Sequence, residues 1–188
     1  MKRWLLLIGL LAGGALPATA QLIRENGVYG GPVVRVVRAF ESWGVMGGVR
    51  GAWLINRTYS IGLGGFSLLS RNIQPDYEAA PAYLQMRYGG LTLEYLNDPD
   101  DAIHFSTQVL LGVGELAYAH QDTDARLLED TFYIAEPEMM VVFVVSPVLR
   151  LGLSASFRLN TSVNLPGITG VEVSDAGFGL TVRVGAFE

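Results

Sequence analysis

Segments of about ten residues in which apolar and polar side chains alternate constrain this chain more than any other feature. From Leu149 to Phe157 the odd positions are Leu, Leu, Leu, Ala and Phe, and the positions between them are Arg, Gly, Ser and Ser. From Phe178 to Ala186 apolar residues alternate with Gly, Thr, Arg and Gly in the same way. A period of two is that of a β-strand with one apolar face, and about ten tilted residues cross a bilayer. The pattern therefore predicts membrane-length strands.

Eight segments fit this description, and the links between them alternate in length. The predicted strands cover residues 28–39, 43–55, 58–70, 83–96, 103–119, 131–145, 149–159 and 177–187. Tight links at 56–57, 98–101 and 146–147 alternate with longer polar links at 71–82, 120–130 and 160–176, and the short link at 40–42 is an exception. Short turns on one side and long loops on the other are typical of membrane barrels. We therefore predict an all-β fold, an antiparallel up-and-down eight-stranded transmembrane β-barrel.

The composition agrees with a barrel in lipid. Half of the residues are hydrophobic and 16% are charged, and the mean hydropathy is +0.33. Beyond residue 20, no apolar run approaches the roughly 20 residues of a membrane helix. A closed sheet pairs every backbone group internally and can expose an apolar face to lipid.

The first twenty residues have the pattern of an export signal. Lys2 and Arg3 precede an apolar stretch from Trp4 to Leu16, and Ala18-Thr19-Ala20 is a small-residue cleavage site. We expect a signal peptide at 1–20, a single barrel domain at 21–188, and a location in the outer membrane of a Gram-negative bacterium. The alternative is an anchor helix that is never cut.

The charge of the chain is acidic, which argues against a nucleic-acid partner. The net charge is −5, and removal of Lys2 and Arg3 gives −5 − 2 = −7. No basic stripe is present to neutralise phosphates. The chain has no cysteine, so disulfides, thiolate metal sites and a lipid-modified cysteine are excluded.

Short motifs, several of them rich in glycine, lie along the predicted strands. They are Tyr29-Gly30-Gly31-Pro32, Ile61-Gly62-Leu63-Gly64-Gly65-Phe66, Tyr88-Gly89-Gly90-Leu91, Leu93-Glu94-Tyr95, Ile103-His104 and Glu136-Pro137. With these motifs the chain resembles the small outer-membrane β-barrel proteins common in Bacteroidota, most of which have no assigned function. The resemblance implies a barrel rather than an activity. Such barrels usually end in an aromatic residue on the apolar face, whereas Phe187 is penultimate and in phase with Arg183 and Gly185.

Charged residues fall on the faces opposite the apolar ones. If the apolar faces point to lipid, the side chains that point into the lumen include Arg35, Arg50, Glu94, His104, Glu136, Glu138, Arg150, Arg158 and Arg183. Eight strands leave an interior wide enough only for side chains, and buried charges must then pair. We predict a structural plug of Arg/Glu pairs, with a gated polar path as the alternative.

Two short links predict particular neighbours in the lumen. A tight link after Val145 places Glu136 opposite Arg158, because 136 + 158 and 145 + 149 both equal 294. A short link after Asn97 is expected to bring Glu94 near His104.

One constellation raises the possibility of catalysis. Small outer-membrane lipid A deacylases have a His-x-Ser pair and a downstream Glu, and His104, Ser106 and Glu115 could be compared with them. His104 and Ser106 fall on the polar face, however, and Glu115 falls on the opposite one. We expect no enzyme. The acidic stretches at 98–101 and 122–130 match no known calcium loop, and we predict no metal and no cofactor.

Aromatic residues near predicted strand ends suit the girdles of a membrane barrel: Trp43, Trp53, Tyr59, Tyr83, Tyr95 and Phe132. Ordinary core packing is the alternative. The favoured function is a small outer-membrane barrel with a structural or interaction role, whose partners are outer-membrane lipid, periplasmic chaperones and the barrel-assembly machinery. A soluble exported barrel that binds a small apolar ligand, and an outer-membrane lipid-modifying enzyme, are the alternatives.

Overall fold

The computed structural model describes residues 26–39, 42–71, 82–120, 126–161 and 176–187, and their regular structure is entirely β. The strands are β1 (Asn26–Ala39), β2 (Ser42–Ile55), β3 (Tyr59–Leu68), β4 (Ala82–Asn97), β5 (Ile103–His120), β6 (Arg126–Ser146), β7 (Leu149–Phe157), β8 (Leu159–Asn160) and β9 (Ala176–Ala186). The predicted signal peptide lies outside the described residues. No helix in the described part is long and apolar enough to cross a membrane.

The strands close into one antiparallel ring. Each of β1 to β7 pairs with its neighbour along the chain, and β9 pairs with both β7 and β1. The two-residue β8 continues β7 beyond Arg158 and pairs with β6. The ring therefore contains eight strands, which confirms the predicted fold class.

The ring is staggered, so its strands tilt. Following partners around the ring from Asn26 returns to β1 at Val36, a shift of 36 − 26 = 10 residues. The partners are Asn26–Ile55–Tyr59–Tyr95–Thr107–Met139–Ala155–Phe178–Val36. A stagger of this kind is what closes a barrel of tilted strands.

The tight turns all lie at one end of the barrel, which we call the turn end. Asn56 and Arg57 have φ angles of 51° and 58°, and Thr58 N donates to Ile55 O at 3.3 Å, the geometry of a primed hairpin turn. The other turns occupy 98–102 and 147–148. At the opposite end, the loop end, the described strands stop at the links 40–41, 72–81, 121–125 and 162–175, and these links lie outside the described residues.

Every strand bound lies within two residues of the prediction except the start of β6. β6 begins at Arg126, not at Thr131, and pairs with β5 as far as Ala119. The strand pattern missed this extension because Leu127 and Leu128 are consecutive apolar residues followed by two acidic ones. β7 ends at Phe157, since Arg158 interrupts the strand before β8.

Close backbone approach explains one of the glycine motifs. Gly90 on β4 lies in register with Gly64 and Gly112 on its two neighbouring strands. A Cβ atom on Gly90 would lie 2.1 Å from the backbone oxygen of Leu111. A larger residue would therefore push β4 and β5 apart at this point.

Two apolar clusters fill the two ends of the barrel interior. The loop-end cluster contains Val33, Val37, Met46, Phe66, Leu84, Met86, Tyr88, Leu110, Leu116, Tyr118, Phe132 and Ile134. The turn-end cluster contains Tyr29, Ala52, Leu54, Leu96 and Phe187. Most of the charged interior residues lie between these clusters, or against their inner edges.

Candidate functional site

The nine charged residues predicted for the lumen all point into the barrel. Each is exposed by 5% or less. They divide into an upper ion cluster (Arg35, Arg50, Glu136, Glu138 and Arg158) and a lower ion cluster formed around Glu94 and Arg183. His104 and Arg150 lie at the turn end.

Two glutamates of β6 organise the upper ion cluster. Glu138 Oε2 accepts hydrogen bonds from Arg35 Nη2 at 2.9 Å and from Arg50 Nη2 at 2.6 Å. Glu136 pairs with Arg35, and its Oε2 lies 3.4 Å from Arg158 Nε. Each glutamate therefore holds two arginines, as burial of charge requires.

Neutral side chains complete the upper ion cluster. Tyr88 OH donates to Glu136 Oε2 at 2.6 Å and accepts from Arg158 Nη2 at 3.4 Å. Gln108 Nε2 donates to Glu138 Oε2 at 3.3 Å. Tyr88 and Gln108 were not assigned to the ion network from the sequence, although Tyr88 is in phase with Glu94 and Gln108 is in phase with His104, a signal that could have found them.

The lower ion cluster joins four strands around one carboxylate. Arg183 Nη2 on β9 donates to Glu94 Oε1 on β4 at 2.6 Å. Glu94 Oε2 accepts from Ser60 Oγ at 3.1 Å and from the Tyr29 hydroxyl. Tyr29 and Ser60 were likewise not assigned to the ion network from the sequence, although Tyr29 shares the phase of Arg35 along β1.

Glu94 pairs with Arg183 rather than with His104. The register of β4 and β5 places Glu94 opposite Gln108, and Asn97 opposite Phe105. His104 therefore lies beyond the last paired residue of β4, where its Nδ1 is 3.2 Å from the carbonyl oxygen of Asp101.

The residues of the catalytic alternative do not converge. His104 and Ser106 are buried on the inner face of β5. Glu115 lies on the outer face, near the other end of the strand, with Oε2 2.5 Å from Arg87 Nη2. Within the described residues, no three His, Asp or Glu side chains are grouped so that they could hold a metal.

Four of the six predicted girdle residues lie on the outer surface. Trp53, Tyr59 and Tyr95 are at least 42% exposed near the turn end, and Trp43 is 56% exposed near the loop end. The prediction is wrong for two others. Phe132 is fully buried because it is in phase with Glu136 and Glu138, and Tyr83 is 4% exposed beneath the guanidinium of Arg71, 5.0 Å from its ring.

The outer surface of the barrel is apolar around its circumference. The exposed large hydrophobic residues include Val34, Val49, Leu63, Leu91, Leu111, Met139, Leu153 and Leu180, which between them come from β1, β2, β3, β4, β5, β6, β7 and β9. We call this surface the outer belt. The barrel therefore has charged side chains buried in its lumen and apolar side chains exposed on its outer surface, which is the reverse of the arrangement in a water-soluble barrel.

The ring and the inverted faces define the fold class of the small eight-stranded outer-membrane barrels, and solved structures of that class are similar to this chain. Neisserial surface protein A matches with a TM-score of 0.64 and 14% identity, over 85% of this chain and 96% of its own. Ail, the attachment invasion locus protein of Yersinia pestis, matches with a TM-score of 0.52 and 9% identity in its complex with the heparin analogue sucrose octasulfate, over 86% of this chain and 97% of its own. No family model and no curated protein matches the sequence.

Proposed function

We propose that this protein is a small outer-membrane β-barrel with a structural or interaction role, exported by the signal peptide at 1–20. The observation that carries the proposal is the inversion of its two faces. The outer belt would be an unusually large exposed apolar surface in water, where such patches seldom exceed a few hundred Å². In a bilayer the same surface meets lipid.

The lumen supports a structural role rather than transport. Arg183 on β9 reaches Glu94 on β4, which is four strands away around the ring in either direction. Arg35 on β1 likewise crosses the bore to Glu136 and Glu138 on β6. With an apolar cluster at each end, these pairs form a plug instead of a water-filled channel.

The two alternative functions have less support. A soluble barrel that binds an apolar ligand needs an apolar cavity inside, and here the interior is filled by the two ion clusters and by packed apolar side chains. A lipid-modifying enzyme needs its catalytic group at the lipid surface, and His104 and Ser106 are buried in the lumen. We therefore propose a protein without enzymatic activity.

An interaction role would use the loop end. The similar structures are those of a surface protein and an attachment invasion locus protein, and their likeness to this chain is one of fold. The β5–β6 hairpin, the longest in the barrel, extends toward the loop end. Outer-membrane lipid, periplasmic chaperones and the assembly machinery are the proposed partners, and a relationship to the Bacteroidota barrels is part of the same proposal.

Fractionation of cells that express the full chain tests the location. We expect the protein in the detergent-extracted outer-membrane fraction, with Gln21 as its first residue. Recovery in a salt-washed soluble periplasmic fraction would exclude the membrane proposal. Retention of residues 1–20 on a membrane-bound protein would instead favour the uncut anchor.

A further inference from the structure

Arg150 is the one described lumen arginine that is not paired with a glutamate. Five arginines and three glutamates are buried in the described interior, and the other four arginines each reach a carboxylate. Arg150 is 5% exposed, and its Nε and Nη1 atoms are buried without a hydrogen-bond partner. A buried guanidinium in this state is costly unless an acceptor reaches it.

The surroundings of Arg150 orient it for binding. Its guanidinium lies 4.0 Å from the centre of the Phe187 ring, which supports the planar group and leaves its N–H edges free. Arg150 lines a turn-end cavity of about 280 Å³, together with Val144, Pro147 and Phe187.

The charges around this cavity leave a net positive site. Arg57 and Asp100 also line it and pair with each other, so the two arginines and one aspartate of the lining carry a net charge of +2 − 1 = +1. The walls formed by Val144 and Pro147 suit an apolar group beside the anion.

We propose that the turn-end cavity binds an organic carboxylate that carries a small apolar group. The carboxylate accepts two hydrogen bonds from Arg150, the geometry for which a guanidinium is built, and the apolar group packs against Val144, Pro147 and Phe187. A volume of this size suits a small molecule. The site is independent of the structural role of the plug, and in an outer membrane it would open to the periplasm.

Titration of the refolded protein in detergent micelles tests the site, with the Arg150 side-chain Nε–H resonance as the reporter. The probes are benzoate, the neutral benzamide of the same shape, and inorganic phosphate. We expect a saturable shift with benzoate, no shift with benzamide, and at least tenfold weaker binding of phosphate. Phe187→Leu should weaken benzoate binding several-fold, because the platform beneath the guanidinium is lost.

Arg150→Gln lacks the reporter, so benzoate is followed there by saturation transfer from the protein to the benzoate protons. That signal should be lost in a folded Arg150→Gln barrel, and Arg38→Gln on the outer face is the matched control in which it should be unchanged. If the Arg150 variant fails to fold, the titration of the native chain with the three probes still tests the proposal. No benzoate shift, or phosphate binding as tightly as benzoate, would overturn the proposal. Glu188 follows Phe187 in the sequence, so a benzoate shift seen only in Glu188→Gln would assign Arg150 to the chain's own carboxylate and also overturn it.

Discussion

Glu136 on β6 faces Arg158, the residue between β7 and β8, with Arg158 Nε 3.4 Å from Glu136 Oε2. The strands have the register that joins these positions, since Glu138 pairs with Ser156 and Ile134 pairs with Asn160, and both pairs sum to 294. Both side chains are almost completely buried. Arg158 therefore depends on Glu136 for compensation of its charge, and Glu136 is held by both Arg158 and Arg35.

A double-mutant cycle of Glu136→Gln and Arg158→Met should show coupling of about 0.5–3 kcal/mol in the free energy of unfolding. Loss of one charge leaves the other buried and under-compensated, so the double variant should be more stable than the sum of the single losses implies. Reversible urea unfolding in lipid vesicles measures it. The matched control combines Arg158→Met with Glu94→Gln from the lower ion cluster, where losses should be additive, and additivity in both cycles would contradict the pairing.

Tyr29→Phe should destabilise the barrel by about 1–2 kcal/mol, because Glu94 and Ser60 lose a buried hydrogen-bond partner. Tyr29 OH and Ser60 Oγ are 3.0 Å apart, and the ring is 5% exposed. Tyr59→Phe is the control, since its ring is 57% exposed on the outer belt. Equal stabilities for the two variants would show that the Tyr29 hydroxyl does not support the lower ion cluster.

Leu151→Arg and Val182→Arg should each cost about 2–4 kcal/mol in folding if these positions lie near the bilayer midplane. The two residues are partners in the β7–β9 register and lie on the outer faces of their strands. Val28→Arg, close to the turn end, should cost only about 0–1 kcal/mol, because the penalty falls toward the interface. Unfolding in lipid vesicles gives the free energy of unfolding of all three variants. Equal losses at the three positions would place these residues outside the bilayer.

The purified protein should form no large, stable pores in planar bilayers, because the two ion clusters and the apolar clusters occupy the bore. Single-channel recording is the measurement. Porin-like currents would show that the lumen is an open path and would refute the plug.

The alternation of side chains was enough to predict the strands, their faces and one register. Glu136 and Arg158 were predictable because the link between β6 and β7 is short. The predicted pairing of Val145 with Leu149 was wrong, since Leu149 pairs with Ser146, and an irregularity between Val144 and Ser146 restores the register that joins Glu136 and Arg158. The pairing of Arg35 with Glu138 was not, because it joins residues 103 positions apart across the bore. It depends on the ten-residue stagger of the closed ring, which local spacing does not encode.

The buried aromatic residues also show what the alternation of side chains can and cannot predict. Phe132 could have been assigned to the lumen from its phase with Glu136, since side chains two apart share a face. Tyr83 could not, because it shares the outward phase of Arg87 and is nevertheless covered, with Arg71 over its ring. Phase predicts the face of a sheet on which a side chain lies, and it does not predict what covers that face.

Spin labels on β9 test most directly whether the apolar face of the barrel points to lipid. The chain has no native cysteine, so a label on a single-cysteine variant attaches only at the chosen position. Leu180→Cys replaces a side chain that is 47% exposed on the outer belt, and Thr181→Cys replaces its neighbour, which is 1% exposed in the lumen. In lipid vesicles, the label at 180 should collide with oxygen but not with a water-soluble nickel chelate, while the label at 181 should be shielded from both. A label at 180 that collides freely with the nickel chelate would contradict the account, because the outer belt would then face water.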